Sequence, residues 1–197
     1  MTIGDAIKSA IHGMPALVTG GQPGYRAGED KLACAHEFLS GLDTFTVRSD
    51  AFEEGGAIPG KYSADGDGIS PPISWRGLPH ETRSVALVVE DPDAPTPEPF
   101  VHWLVYNIAS SSTTLPEGMR PENFAATGAM QGKNSNLRSG WTGMAPPKGD
   151  TPHRYFFQVF ALDVNLQLDE GAGRTALFEA MAGHVIASGR TIGTFHR

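Results

Sequence analysis

The chain has 197 residues and a formal net charge of −7, and 40% of its residues are hydrophobic. This length suits one large domain or one medium domain with an extension, and the hydrophobic fraction is sufficient for a core. The negative charge argues against a nucleic-acid-binding surface, which requires clustered Lys and Arg side chains. Cys34 is the sole cysteine of the sequence, which excludes an intrachain disulfide and a cysteine-based zinc site. A reducing, cytoplasmic location is therefore expected, and no apolar run approaches the roughly 20 residues of a membrane-spanning helix.

The first forty residues carry helical patterning. Ile3, Ile7 and Ile11 recur at helical spacing, and residues 30–39 predict a second helix with an apolar face. The members of that face are Leu32, Ala35 and Leu39. A short helix with such a strip is not stable alone in water, so it must pack on something. We predict an N-terminal helical extension over residues 1–42, docked on its own domain or on a second copy in a homodimer.

From residue 43 onward, short apolar runs alternate with turn-forming residues, in keeping with a composition of 24 Gly and 15 Pro. We predict a mainly β domain over residues 43–197, an antiparallel β-sandwich with Greek-key connections and a C-terminal helix. The predicted strands cover residues 44–48, 73–75 (an edge strand), 84–89, 102–108 and 155–162. The closing helix is predicted from an apolar stripe formed by Leu177, Phe178, Met181, Ala182, Val185 and Ile186.

One motif lies where two predicted strands meet a proline-rich loop. Asp91 ends the strand that begins at Ser84, and His102 opens the next strand. If the two strands pair antiparallel, the carboxylate and the imidazole lie on the same rim. A carboxylate orients an imidazole and raises its pKa, which would create a donor-rich spot suited to phosphate or carboxylate.

A second motif follows the loop of residues 132–149, whose glycines, asparagines and prolines predict repeated turns with exposed N–H groups. His153 and Tyr155 lie two residues apart on the next strand and therefore face the same side. Arg154 faces the opposite side, where an ion-pairing role is expected. Trp103 and Trp141 are candidates for the apolar walls of the pocket.

Two enzymatic alternatives use the same region. Asp91, His102 and His153 could form a two-His, one-carboxylate metal centre for a metal-assisted hydrolase. The spacing matches no zinc-binding helix motif, and no Gly-x-Ser-x-Gly nucleophile elbow is present. We therefore expect a binding protein without catalytic residues, cofactor or bound metal, whose affinity for anions falls as histidine charge is lost between roughly pH 6 and 8.

The two motifs resemble the phosphatidylethanolamine-binding protein family, and in detail its bacterial Raf-kinase-inhibitor-like branch. The matching stretches are Asp91-Pro92-Asp93-Ala94-Pro95, His102-Trp103-Leu104-Val105-Tyr106-Asn107, residues 140–149 and His153-Arg154-Tyr155. Weaker similarity occurs at Asp65-Gly66, residues 69–72 and residues 183–185. The resemblance covers about residues 45–197 and leaves the first forty without a counterpart.

The resemblance implies a β-sandwich with a small cavity for phosphate-like groups. The family's anion-site residues fall on Asp91, His102, Pro147, His153 and Tyr155. It also implies a phospholipid head group or another phosphorylated molecule as ligand, and a kinase or a protease as protein partner. Trp141 stands where the family usually has Tyr, a change that keeps the wall of the cavity and loses a hydroxyl.

Overall fold

Nine strands arranged in two sheets form the body of the protein in the computed structural model, which describes residues 25–39, 43–125 and 127–197. The strands are β1 (Asp43–Thr44), β2 (Thr46–Arg48), β3 (Ile73–Arg76), β4 (Ser84–Asp91), β5 (Phe100–Ala109), β6 (Thr114–Leu115), β7 (Met130–Gln131), β8 (His153–Leu162) and β9 (Val185–Phe195). The helices are α1 (Pro121–Ala125) and α2 (Arg174–Met181), with 3-10 turns at Glu29–Lys31, Ala33–Ala35 and Gly60–Tyr62. The predicted helix through Ile3, Ile7 and Ile11 lies outside the described residues. No helix in the described part is long and apolar enough to cross a membrane.

The larger sheet has the strand order β1-β9-β8-β4-β5-β7, and the smaller has the order β2-β3-β6. Strand pairs are antiparallel except β1 with β9, which run parallel. The mainly β class is therefore confirmed, whereas the Greek-key sandwich stays a prediction. β3 was expected at an edge but lies between β2 and β6 in the smaller sheet.

Both faces of the larger sheet are buried, which explains why β4 is apolar at consecutive positions. One face shares a core with the smaller sheet, where Trp75 packs in the same cluster as Leu87 and Phe157. The other face is covered by α2 and by the N-terminal segment, through residues such as Leu177 and Leu39.

The predicted closing helix was too long. Helix α2 ends at Met181, and Gly183 follows with φ 80°, a left-handed conformation that commonly ends helices. Val185 and Ile186, which fit the helical stripe, instead begin β9, and this strand pairs with β8 along its length. The preference of β-branched side chains for strands agrees with this outcome.

The predicted second helix over residues 30–39 is also absent, and two 3-10 turns take its place. Leu32 lies between the turns in an extended conformation, because the backbone N–H groups of the next two residues donate hydrogen bonds to side chains of the sheet. The N–H of Ala33 donates to the Glu90 carboxylate at 2.8 Å, and that of Cys34 donates to the Gln158 amide oxygen at 2.7 Å. Leu32 and Leu39 are buried as predicted, but Ala35 is exposed.

Glu90 is the fixed point of this N-terminal segment. Its carboxylate is fully buried and also accepts hydrogen bonds from Gln158 at 2.8 Å and from the Arg174 guanidinium at 2.6 Å. Nearer the amino end of the segment, the N–H groups of Ala27 and Gly28 donate to carbonyl oxygens of the loop that follows β4. Residues 25–39 are thereby joined to the larger sheet and to the loop beside Asp91.

Candidate functional site

The sheet order brings the predicted site residues together. β4 lies between β5 and β8 and runs antiparallel to both, so its carboxyl end meets the amino ends of its two neighbours. Asp91 is the last residue of β4, His102 lies near the start of β5, and His153 is the first residue of β8. Strand register, rather than the intervening loops, therefore places the carboxylate among the two imidazoles.

Asp91 contacts His153 directly. Its Oδ2 atom accepts a hydrogen bond from His153 Nδ1 at 2.8 Å, and its Oδ1 atom accepts one from the backbone N–H of Asp93 at 2.8 Å. We predicted that Asp91 orients the ring of His102, and this prediction was wrong. The reason is that β8 also borders β4, a neighbour that chain order does not reveal.

His102 is held by the loop instead. Its Nδ1 atom lies 2.8 Å from the carbonyl oxygen of Thr142, whose own N–H donates to the His102 carbonyl at 3.0 Å. Because a carbonyl only accepts, Nδ1 carries the proton. Burial lowers the pKa of His102, against the opposing effects of the Asp91 charge and the Thr142 carbonyl. His102 is therefore neutral near pH 7, and its Nε2 atom is an acceptor.

His153 has the opposite character. Its Nε2 atom faces Asp150 Oδ2 at 3.4 Å, while Nδ1 donates to Asp91. Burial acts to lower the pKa of His153, but the hydrogen bond and the charge of Asp91, with a smaller contribution from Asp150, outweigh it and raise the pKa. Asp150 is ionised, since the hydrogen bond from Arg26 lowers its pKa to about 2. With a carboxylate facing each ring nitrogen, the imidazolium form of His153 is favoured.

Tyr155 supplies a buried hydroxyl without a hydrogen-bond partner among the described residues. Its ring meets the His102 ring edge-on, with the two centroids 5.1 Å apart. Burial raises the pKa of the Tyr155 phenol, and the Asp91 and Asp93 charges raise it further. The phenol therefore keeps its proton, and a buried donor of this kind needs a partner such as a water molecule or a ligand.

The loop of residues 132–149 forms the outer wall. The Trp141 ring lies 5.7 Å from the His102 ring, and its Nε1–H donates to the Tyr62 carbonyl at 3.2 Å. Gly143 is required there, because a Cβ atom at this position would lie 2.5 Å from the backbone nitrogen of Ala64. Pro147 lies at the exposed tip of the loop, where its carbonyl accepts a hydrogen bond from the N–H of Asp150 at 3.2 Å, and its predicted role in ligand binding stays a prediction.

The predicted ion-pairing role of Arg154 is confirmed by its contact with Asp93 at 2.8 Å and by a second contact with Glu29. Two neighbours of the site were missed, namely Asp150 and Arg26. Asp150 precedes His153 by three residues and was recognisable only as a turn former. Arg26 is far away in the chain, and no local pattern linked it to the site.

The metal-assisted alternative has no support from this geometry. The described residues contain no group of three or more His, Cys, Asp or Glu side chains that could hold a metal ion. Both oxygen atoms of Asp91 already accept hydrogen bonds, and Nδ1 of His102 donates to a carbonyl.

An open groove of about 840 Å³ lies at the opposite end of β4 and β5. Its walls include Arg83, Asn107 and Asp169, and none of the predicted site residues lines it. Among the described residues, two buried side-chain atoms have no hydrogen-bond partner, His36 Nδ1 and the Tyr155 hydroxyl oxygen. Neither residue lines this groove. We therefore assign the candidate site to the Asp91 rim, where the charges converge and a buried donor is unpartnered.

Comparison with known proteins identifies the family. A family model described as phosphatidylethanolamine-binding protein matches residues 48–196. A UPF0098 protein of Methanothermobacter thermautotrophicus is 42% identical over 151 residues, which cover 77% of this chain and 98% of the relative. The crystal structure of E. coli YbcL, described as a new member of the mammalian PEBP family, has a TM-score of 0.73 at 32% identity and covers 78% of this chain and 98% of its own. The crystal structure of a homologue of the same family from Chlamydia trachomatis has a TM-score of 0.71 at 40% identity. The match covers 79% of this chain and 99% of the Chlamydia chain. The chain belongs to the phosphatidylethanolamine-binding protein family.

Proposed function

We propose that this protein binds a small phosphate-like or carboxylate anion at the rim formed by Asp91, His102, His153 and Tyr155, without converting it. The observation that carries the proposal is the buried, unpartnered Tyr155 hydroxyl, which shares one face of β8 with His153, a histidine whose pKa is raised. A neutral O–H donor next to a fixed positive charge is a combination suited to an oxyanion.

The four side chains take different roles in this proposal. Tyr155 and the Nε2–H of His153 donate to the anion, and the neutral Nε2 of His102 accepts from a protonated ligand oxygen. Asp91 orients His153, and its negative charge disfavours direct contact with an anionic ligand. This division favours a phosphate monoester or a hydrogen phosphate, which offers both acceptor oxygens and an O–H group.

A binding role agrees with family membership and with the protonation of the site. A phenol with a raised pKa is a poor nucleophile, and the sequence offers no nucleophile elbow. We infer that the occupant is a phospholipid head group or another phosphorylated molecule and that occupancy regulates a partner such as a kinase or a protease. A mass-spectrometric time course with phosphoesters and acyl esters, with and without divalent metals, tests the absence of turnover.

The Tyr155→Phe variant tests the donor role of the hydroxyl. We expect its affinity for phosphate and phosphoethanolamine to fall roughly tenfold, as for the loss of a hydrogen bond to a charged group. Its stability should not fall, because the change breaks no hydrogen bond between the hydroxyl and another described residue. Titration calorimetry and thermal unfolding measure the two effects.

Tyr106→Phe is the matched control. Its hydroxyl is also on a buried tyrosine, but it donates to the Asp169 carbonyl, away from the Asp91 rim. This variant should lose stability and keep its phosphate affinity. If Tyr155→Phe binds phosphate as the unmodified protein does, the anion is held elsewhere.

The pH dependence of binding follows from the two histidines. Anion affinity should decline as pH rises above about 6.5 and through the raised pKa of His153, since the imidazolium is lost there. His153 likewise contributes stability that is fully present below about 6.5 and is lost as pH rises through its folded-state pKa. His102 has a lowered pKa, so it reduces stability only as pH falls below about 6.5.

Sulfate isolates the contribution of His153, because its charge is constant over this range; it should bind more weakly than phosphate, since it lacks the O–H group that His102 Nε2 would accept from. Titration calorimetry at a series of pH values gives the affinity, and NMR of the ring Cε1–H groups follows each histidine. A His102 midpoint above that of His153 would contradict the assignment of the charged and neutral rings.

A further inference from the structure

Arg26 reaches the candidate site from outside the region matched by the family model, which begins at residue 48. Its Nη2 atom lies 2.8 Å from Asp150 Oδ1 and 3.4 Å from the Thr151 hydroxyl. The following residues fix its position, because the N–H of Ala27 donates to Ala94 O at 3.1 Å and the N–H of Gly28 donates to Pro92 O at 3.0 Å. The guanidinium is therefore held beside the loop that Asp91 begins.

Four charged groups form a continuous chain at this place. Arg26 contacts Asp150, Asp150 faces His153 at 3.4 Å, and His153 is paired with Asp91 at 2.8 Å. The Asp150 carboxylate thus stands between two cations. It occupies the position at which an anionic ligand of His153 Nε2 would be expected.

The contacts of Asp150 differ in strength. The distance to Arg26 is typical of a charge-assisted hydrogen bond, whereas 3.4 Å to His153 is long for one. The side chains of Arg26 and Asp150 are 30% and 24% exposed, while that of His153 is 1% exposed. Asp150 can therefore turn into solvent if a ligand takes over its contact with Arg26, although the Thr151 N–H also donates to it at 2.8 Å, whereas His153 cannot leave.

We propose that Arg26 is a further anion-binding residue and that Asp150 is an internal carboxylate that an external anion displaces. The inference rests on the proposed function. On binding, the ligand's oxygens bridge the Arg26 guanidinium and His153 Nε2, in place of the two Asp150 oxygens. The N-terminal segment thereby takes part in recognition as well as in packing.

The test is phosphate affinity, measured by titration calorimetry, in three variants of the full chain. Arg26→Ala should weaken binding about fivefold, somewhat less than a fully buried charged hydrogen bond would give. Asp150→Asn should strengthen binding about threefold at about pH 6, where Asp91 still favours the charged His153 ring, because the competing carboxylate is gone. In the double variant, the Arg26 change should weaken binding by the same factor relative to Asp150→Asn alone.

Two control variants carry matched charge changes. Lys31→Ala removes a cation of the same segment that contacts Glu98 and Pro97, and Glu29→Gln removes a carboxylate that pairs with Arg154. Both should leave phosphate affinity unchanged. Equal affinity of Arg26→Ala and Lys31→Ala would overturn the role of Arg26, and equal affinity of Asp150→Asn and Glu29→Gln would overturn that of Asp150.

The double variant separates direct binding from positioning. If it binds phosphate as tightly as Asp150→Asn alone, Arg26 only restrains Asp150, and its direct contact with the anion is refuted. Failure of the unmodified protein to bind phosphate would refute the proposed function itself. Binding that depends on Tyr155 but not on Arg26 would refute this inference alone.

Discussion

His153→Ala is expected to abolish measurable phosphate binding and to lower the free energy of unfolding by about 3 kcal/mol, the usual cost of removing one partner of a buried ion pair. Asp91 is 3% exposed and would lose its charged partner, while the hydrogen bond from the Asp93 N–H remains. Chemical denaturation near pH 6, where His153 is charged, measures the loss of stability. Titration calorimetry below the unfolding range of the variant measures binding.

Asp91→Asn combined with His153→Ala separates the two effects. Removal of the buried charge should restore part of the stability, because the neutral amide costs less to bury than an unpaired carboxylate. Binding should not return, since the imidazolium is still absent. If His153→Ala alone is as stable as the unmodified protein, Asp91 is not the buried, paired carboxylate described here.

Deletion of residues 1–40 is expected to lower the free energy of unfolding by roughly 3–6 kcal/mol, the range for burying two leucine side chains. Leu32 and Leu39 would be lost from the face of the larger sheet, and Glu90 would lose the Ala33 N–H. At about 2–4 °C per kcal/mol for a chain of this size, the midpoint of thermal unfolding should fall by at least about 6 °C.

Deletion of residues 1–24 is the control, because it removes none of these contacts. Equal melting temperatures for the two truncated proteins would contradict the packing of residues 25–39 against the sheet. Light scattering on both forms also tests whether the protein is a homodimer, one of the two packing arrangements predicted for the apolar strip of Ile3, Ile7 and Ile11. A mass that already halves when residues 1–24 alone are removed would place the dimer contact in that strip.

The two motifs were sufficient to predict that Asp91, His102, His153 and Tyr155 lie at one rim, because each motif ends or begins a strand there. That these residues and Pro147 bind a ligand stays a prediction. It was not sufficient to pair them, since local patterns do not show which strands are neighbours in a sheet. The different protonation of the two histidines could therefore not be predicted either, because it depends on which ring contacts Asp91 and which contacts a carbonyl.

Two larger errors have the same physical origin. Val185 and Ile186 continue a helical stripe in sequence, and only the left-handed Gly183 and pairing with β8 make them a strand. Residues 30–39 have helical spacing, but their N–H groups are used by Glu90 and Gln158. In both places, long-range hydrogen bonding overrides a local preference.

The fixing of Asp91 and His153 by strand register has a consequence for how such a site diversifies. The two groups sit on adjacent, hydrogen-bonded strands, and the segments 92–99 and 132–152 add the Asp93 N–H and the Asp150 carboxylate beside them. Insertions or exchanges elsewhere in those segments can reshape the entrance while His153 stays in place. Selectivity and anchoring are thus encoded in separate parts of the chain, and one can evolve, or be engineered by loop grafting, without rebuilding the other.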